Sequence, residues 1–364
     1  MIKEGKIGLA EAICLTTITI SNKIFFTSPS ALVKIVGTAG WYAALISAAV
    51  TIIAFAFIYM LLKRFPGKSI IEIFYITLGP VVGFVFSFTY AASFLVGCSI
   101  LLREFIDVLN TYIFQSIDPK FLITALVSAA AISAFLGLES IARFAKLSAY
   151  AVLLGYMLLL ILSIQNWNIA YISPVFGYGL KNTVISSLGR SSAYSEIIVI
   201  SVFANALQGA EHIKKAGFIS LILSGFFVSS AVLCVSFTFP YSIVQEIAAP
   251  VYEITRLIKY GSFVQRLDPL FIFLWNITTF ITIAVLFYCI VSCYCKTFRM
   301  QETKPVIIPS AVLLFTTAMI PKDFNSVITK YIEILRIYAI PVFYIMPFIA
   351  LMAAIFRKKK GAYK

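Results

Sequence analysis

Ten apolar runs, most of them long enough to cross a bilayer, limit what this chain can fold into more than any other feature. They fall at about 7–36, 41–62, 81–102, 121–142, 147–164, 192–208, 216–239, 269–294, 306–320 and 337–356. A spanning helix needs about 20 consecutive, mostly apolar residues. Of the 364 residues, 61% are hydrophobic and only 12% charged, against about 25% charged in a soluble domain. A water-soluble protein has too little polar surface to cover so much apolar chain, so lipid supplies the missing solvent. Ten spans of about 20 residues use about 200 residues, which leaves short connections and two or three longer loops. The expectation is an all-α polytopic membrane protein of about ten transmembrane helices, with 1–364 forming one integral membrane domain.

The net charge of +14 would suggest nucleic acid on a soluble protein. Here the basic residues stand in short clusters between apolar runs, where they act as topology signals, and no nucleic-acid partner is expected. Counting alternate connections, one side of the membrane takes Lys3 and Lys6, Lys63 to Lys68, Arg143 and Lys146, Lys214 and Lys215, Lys296 to Lys304, and the tail from Arg357 to Lys364. Short cytoplasmic segments are enriched in Lys and Arg, so an even number of spans with both termini in the cytoplasm follows. The N-terminus has no small-residue cleavage site of the A-x-A kind and is not expected to be a removed signal peptide. Two connections on the other side are long: 165–190, and 240–265 with its amphipathic stretch IVQEIAAPVYEITRLI. Loops of that length are commonly lids or binding surfaces, and a cap over a central cavity is the expected arrangement.

The first run carries the strongest chemical signal. Thr16, Thr17, Thr19, Ser21, Asn22, Lys23, Thr27, Ser28 and Pro29 interrupt it. A lysine that deep in a span must face protein or water. Clustered hydroxyls and an amide before a proline suit a locally unwound helix whose freed backbone lines a cavity; two short segments joined by a polar re-entrant turn are the alternative. The sixth run opens with a matching anomaly, Ser186, Ser187, Gly189, Arg190, Ser191, Ser192, Tyr194, Ser195 and Glu196. Breaks at corresponding positions of two halves point to a midplane site in inverted-repeat transporters. The halves are read as 7–164 and 182–356, five helices each. Lys23 and Glu196 are then candidate charge partners across the cavity, with Glu196 as an interfacial charge the alternative. Candidate ligand-binding residues are Thr19, Ser21, Asn22, Lys23, Phe25, Tyr90, Ser192, Tyr194, Glu196 and Asn276.

Other polar groups read as structural. Glu139 and Arg143 have the favourable i,i+4 helical spacing and are placed at the end of span four. Arg103, Glu104 and Asp107 are read as ending span three. Cys289, Cys293 and Cys295 lack a second CxxC and a nearby histidine, so buried free thiols are expected and no metal or other cofactor. The sequence holds no GxSxG, HExxH or P-loop, and no paired intramembrane carboxylates, so an enzyme is not expected.

Five stretches carry a resemblance: KRFPGKSIIEI at 63–73, LREFI at 102–106, GLESIARF at 137–144, SAYSE at 192–196 and QRLDPLFIFLW at 265–275. In this order they resemble the spore germination permeases, the B-subunits of nutrient-germinant receptors within the amino acid–polyamine–organocation superfamily. The resemblance implies a LeuT-like fold, a five-plus-five inverted repeat with helices one and six broken around a small-molecule site. It also implies a spore inner-membrane location, a larger A-subunit and a lipoprotein C-subunit as partners, and a small nutrient ligand such as an amino acid. Where relatives often have a glycine-rich turn in helix one, this chain has Ser21-Asn22-Lys23, which argues against ordinary sodium coupling. A proton-coupled secondary amino acid transporter is the alternative function.

Overall fold

The computed structural model describes residues 5–259 and 267–361. Lys3, Lys364, the 260–265 end of the second long loop, and Gln265 and Arg266 lie outside the described residues. The described chain is almost entirely helical, as it must be in lipid, where every backbone N–H and C=O has to find its partner within the segment.

Helix one runs Leu9–Ser21, tightens to a 3₁₀ turn at Asn22–Phe25 and resumes at Ser28–Val36. Pro29, within the first turn of the second half, has a fixed φ suited to restarting a helix. Helix two is Gly40–Arg64, followed by a short helix Ile70–Leu78. Helix three is Pro80–Tyr112, helix four Pro119–Leu136 and helix five Leu138–Ser163. Helix six begins at Leu180–Arg190, becomes 3₁₀ over Ser191–Ile198 and ends in the single turn Val199–Val202. Helix seven is Ala210–Thr238, helix eight Asp268–Thr297, helix nine Lys304–Ala318 and helix ten Phe324–Phe356.

Seven described segments are long and apolar enough to span unaided, one of them the continuous stretch Ser28–Arg64 that joins the second half of helix one to helix two. Helices one and six fall short because they are interrupted, and helix nine because it has 15 residues. Ten spans result once the interrupted helices are counted whole.

Three boundaries differ from the sequence reading. The connection 165–190 is not loop throughout, because 180–190 is the first half of helix six. Gly137, at φ 88°, divides helices four and five, a left-handed conformation that glycine adopts without penalty. Glu139 and Arg143 therefore open helix five instead of ending helix four. Helix three continues ten residues past the run that ended at 102, so Arg103, Glu104 and Asp107 are buried within it.

Helices one and seven pack together, as do two and seven, and three and eight. The basic clusters converge at one end of the bundle. The Arg64 Nε donates to the Lys359 carbonyl at 3.2 Å, Arg357 to the Thr77 carbonyl at 3.0 Å, and the Tyr75 hydroxyl to the Thr297 carbonyl at 2.9 Å. Lys146 pairs with Glu11 at 3.2 Å, and the Ile7 N–H reaches the Ala206 carbonyl at 3.0 Å. At the opposite end, both long connections pack on the second half of helix one. Ser30 donates to the Ile247 carbonyl at 2.5 Å, Thr38 to the Pro174 carbonyl, and the Tyr178 N–H to the Val36 carbonyl at 3.3 Å.

Candidate functional site

The two helix breaks face each other and, among the described residues, a single ion pair links them. The Lys23 ammonium lies 2.8 Å from Glu196 Oε2, with the two side chains 13% and 25% exposed. The ammonium also sits 5.6 Å from the centre of the Tyr194 ring, a distance at which the ring face attracts a cation. Removing two such charges from water is costly without a partner, so the pair is the local reason that these residue types are tolerated within spans.

Beside the pair is a cavity of about 120 Å³ lined by Lys23, Thr27, Glu104, Ser192, Glu196 and Arg336, among others. A water needs about 10–15 Å³ by this measure, so the space suits a molecule of a few heavy atoms. Glu104 reaches it from helix three and accepts from the Thr27 N–H at 3.2 Å and from the Thr27 hydroxyl at 2.6 Å. Those bonds satisfy backbone freed by the break in helix one. Phe26 closes one side and packs on Phe105 and Trp275, at 6.1 and 5.5 Å between ring centres.

The ten candidate residues separate into groups. Lys23, Ser192 and Glu196 line this cavity. Tyr194 lines an adjoining one with Lys23, and its hydroxyl donates to the Ala44 carbonyl at 3.1 Å. Ser21, Asn22 and Phe25 line a separate, largely apolar crevice between helices one, five and seven. Asn22 Oδ1 accepts from Thr278 at 2.9 Å and from Thr279 at 3.2 Å, tying the break in helix one to helix eight. The remaining three line none of these spaces. The Thr19 hydroxyl returns to the Leu15 carbonyl at 2.8 Å, and the Asn276 amide to Ile272 at 2.8 Å, each in its own helix. Tyr90 is fully buried among Phe74, Phe94 and Phe343.

Two charged lining residues, Glu104 and Arg336, are not among the ten sequence-derived candidates. Both stand next to the ends of apolar runs, where a charge reads as a boundary. For Glu104 a signal lies in the spacing, since residues 104–118 hold no glycine or proline to end the helix. None of the six cysteines forms a disulfide; Cys98, Cys234, Cys289, Cys293 and Cys295 are buried and Cys14 is half-buried.

A membrane helix bundle with helices one and six both broken beside a small cavity defines the LeuT-like fold class. Solved structures agree on the fold. A Na⁺-coupled sialic acid symporter in a substrate-bound, outward-open state superposes with a TM-score of 0.68 at 12% identity, covering 93% of this chain and 78% of the symporter. The nucleobase-cation-symport-1 family transporter Mhp1, closed with bromovinylhydantoin bound, gives 0.68 at 16% identity, covering 98% and 79%.

Within that class the chain belongs to the spore germination protein family, whose model matches residues 7–327. It is 24% identical to spore germination protein KB of Bacillus subtilis over 333 residues, 89% of this chain and 88% of the relative. It is 20% identical to B. subtilis spore germination protein B2 over 362 residues, 98% of each.

Proposed function

We propose that this chain is the membrane subunit of a spore nutrient-germinant receptor and that a small nutrient, such as an amino acid, binds in the cavity between the helix breaks. The observation that carries this reading is the Lys23–Glu196 pair, which joins the two interrupted helices beside a space sized for a few heavy atoms. A ligand that competes for either charge gains contacts in one arrangement of the two halves and loses them in the other. Differential affinity of that kind is all that a sensor needs to shift a conformational equilibrium. The two halves are taken as repeats over 7–164 and 182–356 of one membrane domain, and the ten sequence-derived candidates as its site, with Lys23, Ser192, Tyr194 and Glu196 nearest the ligand.

The location consistent with this role is the spore inner membrane, with both termini cytoplasmic on the basic end. An A-subunit and a lipoprotein C-subunit would read out the change of state. Spores carrying Glu196→Gln test the proposal: loss of the response to the cognate nutrient, at normal protein level, supports it. A second reading, a proton-coupled secondary amino acid transporter, draws on the symporters that share the fold. Concentrative uptake by the isolated chain in proteoliposomes, driven by a proton gradient, would favour it over the receptor.

A further inference from the structure

Arg336, on helix ten, is a half-buried cation with no hydrogen-bond or ion-pair partner among the described residues. Its Nε is shut off from solvent and bonds to nothing, and its guanidinium makes no hydrogen bond or ion pair with the described residues. Its neighbour Arg190, at the end of the first half of helix six, donates Nη2 to Glu333 at 2.9 Å, while its Nη1 is likewise enclosed and unpaired. A buried donor left unmade is costly, and more so on a charged group. A guanidinium fork also has the planar geometry that matches a carboxylate in two parallel hydrogen bonds.

The position of Arg336 is as informative as its lack of a partner. It lines the central cavity, an adjoining one of about 20 Å³ with Lys23 and Arg190, and a wider one of about 420 Å³ with Arg190 and Glu333. Alone among the described residues, it borders all three. On the opposite wall Glu104 uses only Oε1 for Thr27, and Oε2 accepts nothing from the described residues. Three cations (Lys23, Arg190, Arg336) face three carboxylates (Glu104, Glu196, Glu333) around these spaces. A zwitterion leaves that balance unchanged, whereas a bare anion or cation upsets it in a region of low dielectric.

We infer that Arg336 is a specificity-determining residue that holds the carboxylate of the ligand, with the free oxygen of Glu104 facing an ammonium on the same molecule. This rests on the central cavity being the ligand site. The test uses the full-length chain purified in detergent and three sets of probes: L-amino acids, the matching amines that lack the carboxylate, and neutral sugars. Binding is read by thermal shift and titration. At least one amino acid should bind about 100-fold more tightly than its amine. In Arg336→Gln that ratio should fall to near unity, with Arg336→Lys intermediate.

Because Arg336→Gln leaves two cations facing three carboxylates, the ligand-free variant should melt about 2–4 °C below the wild-type chain, whereas Arg336→Lys, which keeps the charge, should melt close to it. Weakened carboxylate discrimination in Arg336→Lys at an unchanged melting temperature separates recognition from misfolding. A panel in which no carboxylate binds, or in which a neutral sugar binds instead, overturns the inference. So does an undiminished ratio in Arg336→Gln while Lys23→Ala abolishes binding, which would leave the central site standing. Undisturbed binding in Lys23→Ala would instead overturn the central site itself.

Discussion

The two helix breaks solve the same physical problem with different materials. In helix one, freed groups are met by side chains from other helices: Asn22 by Thr278 and Thr279 of helix eight, and Thr27 by Glu104 of helix three. In helix six, the serines turn back on their own chain. Ser191 donates to the Leu188 carbonyl at 2.7 Å, Ser192 to Gly189 at 3.1 Å and Ser201 to Ile198 at 2.6 Å. The outside support of the second break comes from helices two and ten instead. Thr51 and Tyr344 both donate to the Ser191 carbonyl, at 3.1 and 2.9 Å, and Tyr194 donates to Ala44. Each break is therefore fastened to a different pair of helices, and the Lys23–Glu196 pair is the direct polar link between them. Two separately anchored elements joined by one reversible contact can move relative to each other without either unravelling.

The sharpest way to break this comparison is to cut the link. Lys23→Ala leaves Glu196 without its partner, and removing one member of a buried pair costs about 3–5 kcal/mol. The partial exposure of the pair puts the expected loss at the lower end, measured as a fall in thermal stability of the purified chain. The double variant Lys23→Met/Glu196→Gln removes both charges and should recover most of that stability without recovering the nutrient response. A cycle of the two singles and the double would give the coupling between the breaks directly.

The anchors should matter next. Thr27→Val removes the 2.6 Å hydroxyl bond to Glu104 and keeps the backbone bond, a loss of about 1.5–3 kcal/mol for a hydrogen bond to a charged group. Asn22→Leu strands two threonine hydroxyls on helix eight, which can return to their own helix carbonyls as Thr278 already does, so about 1 kcal/mol is expected. Smallest is Ser192→Ala, which deletes a bond within its own helix and should change stability by less than about 0.5 kcal/mol. Should Ser192→Ala prove as damaging as Thr27→Val, the two breaks would not differ in their fastening.

Much of this was legible in the sequence because polar residues in an apolar run stand out, whatever surrounds them. Ser21-Asn22-Lys23 and the 186–196 segment mark both breaks, and Lys23 and Glu196 stand as candidate partners from their positions in the two runs alone. What a hydropathy reading hides is a charge near the end of a run, since the run is cut where the charge begins. Arg103, Glu104 and Asp107 closed span three on paper, yet helix three has 33 residues, about 50 Å of helix against about 30 Å of hydrocarbon. Arg336 stood one residue before the last run and belongs to the helix Phe324–Phe356. Tyr90 and Asn276 differ in the opposite sense: each is a polar residue within a span, but one packs among aromatic rings and the other bonds to its own helix, and neither arrangement can be read from residue type or spacing. Which face of a helix looks at the cavity is a property of the packed bundle.

The most direct measurement compares spores carrying wild-type chain, Glu196→Gln and Lys23→Met/Glu196→Gln, with the chain at equal abundance in each, across a panel of nutrients. If the two broken helices meet around the ligand through this pair, both variants lose the response to the cognate nutrient while responses carried by other receptors persist. Germination indistinguishable from wild type across the whole panel would contradict it.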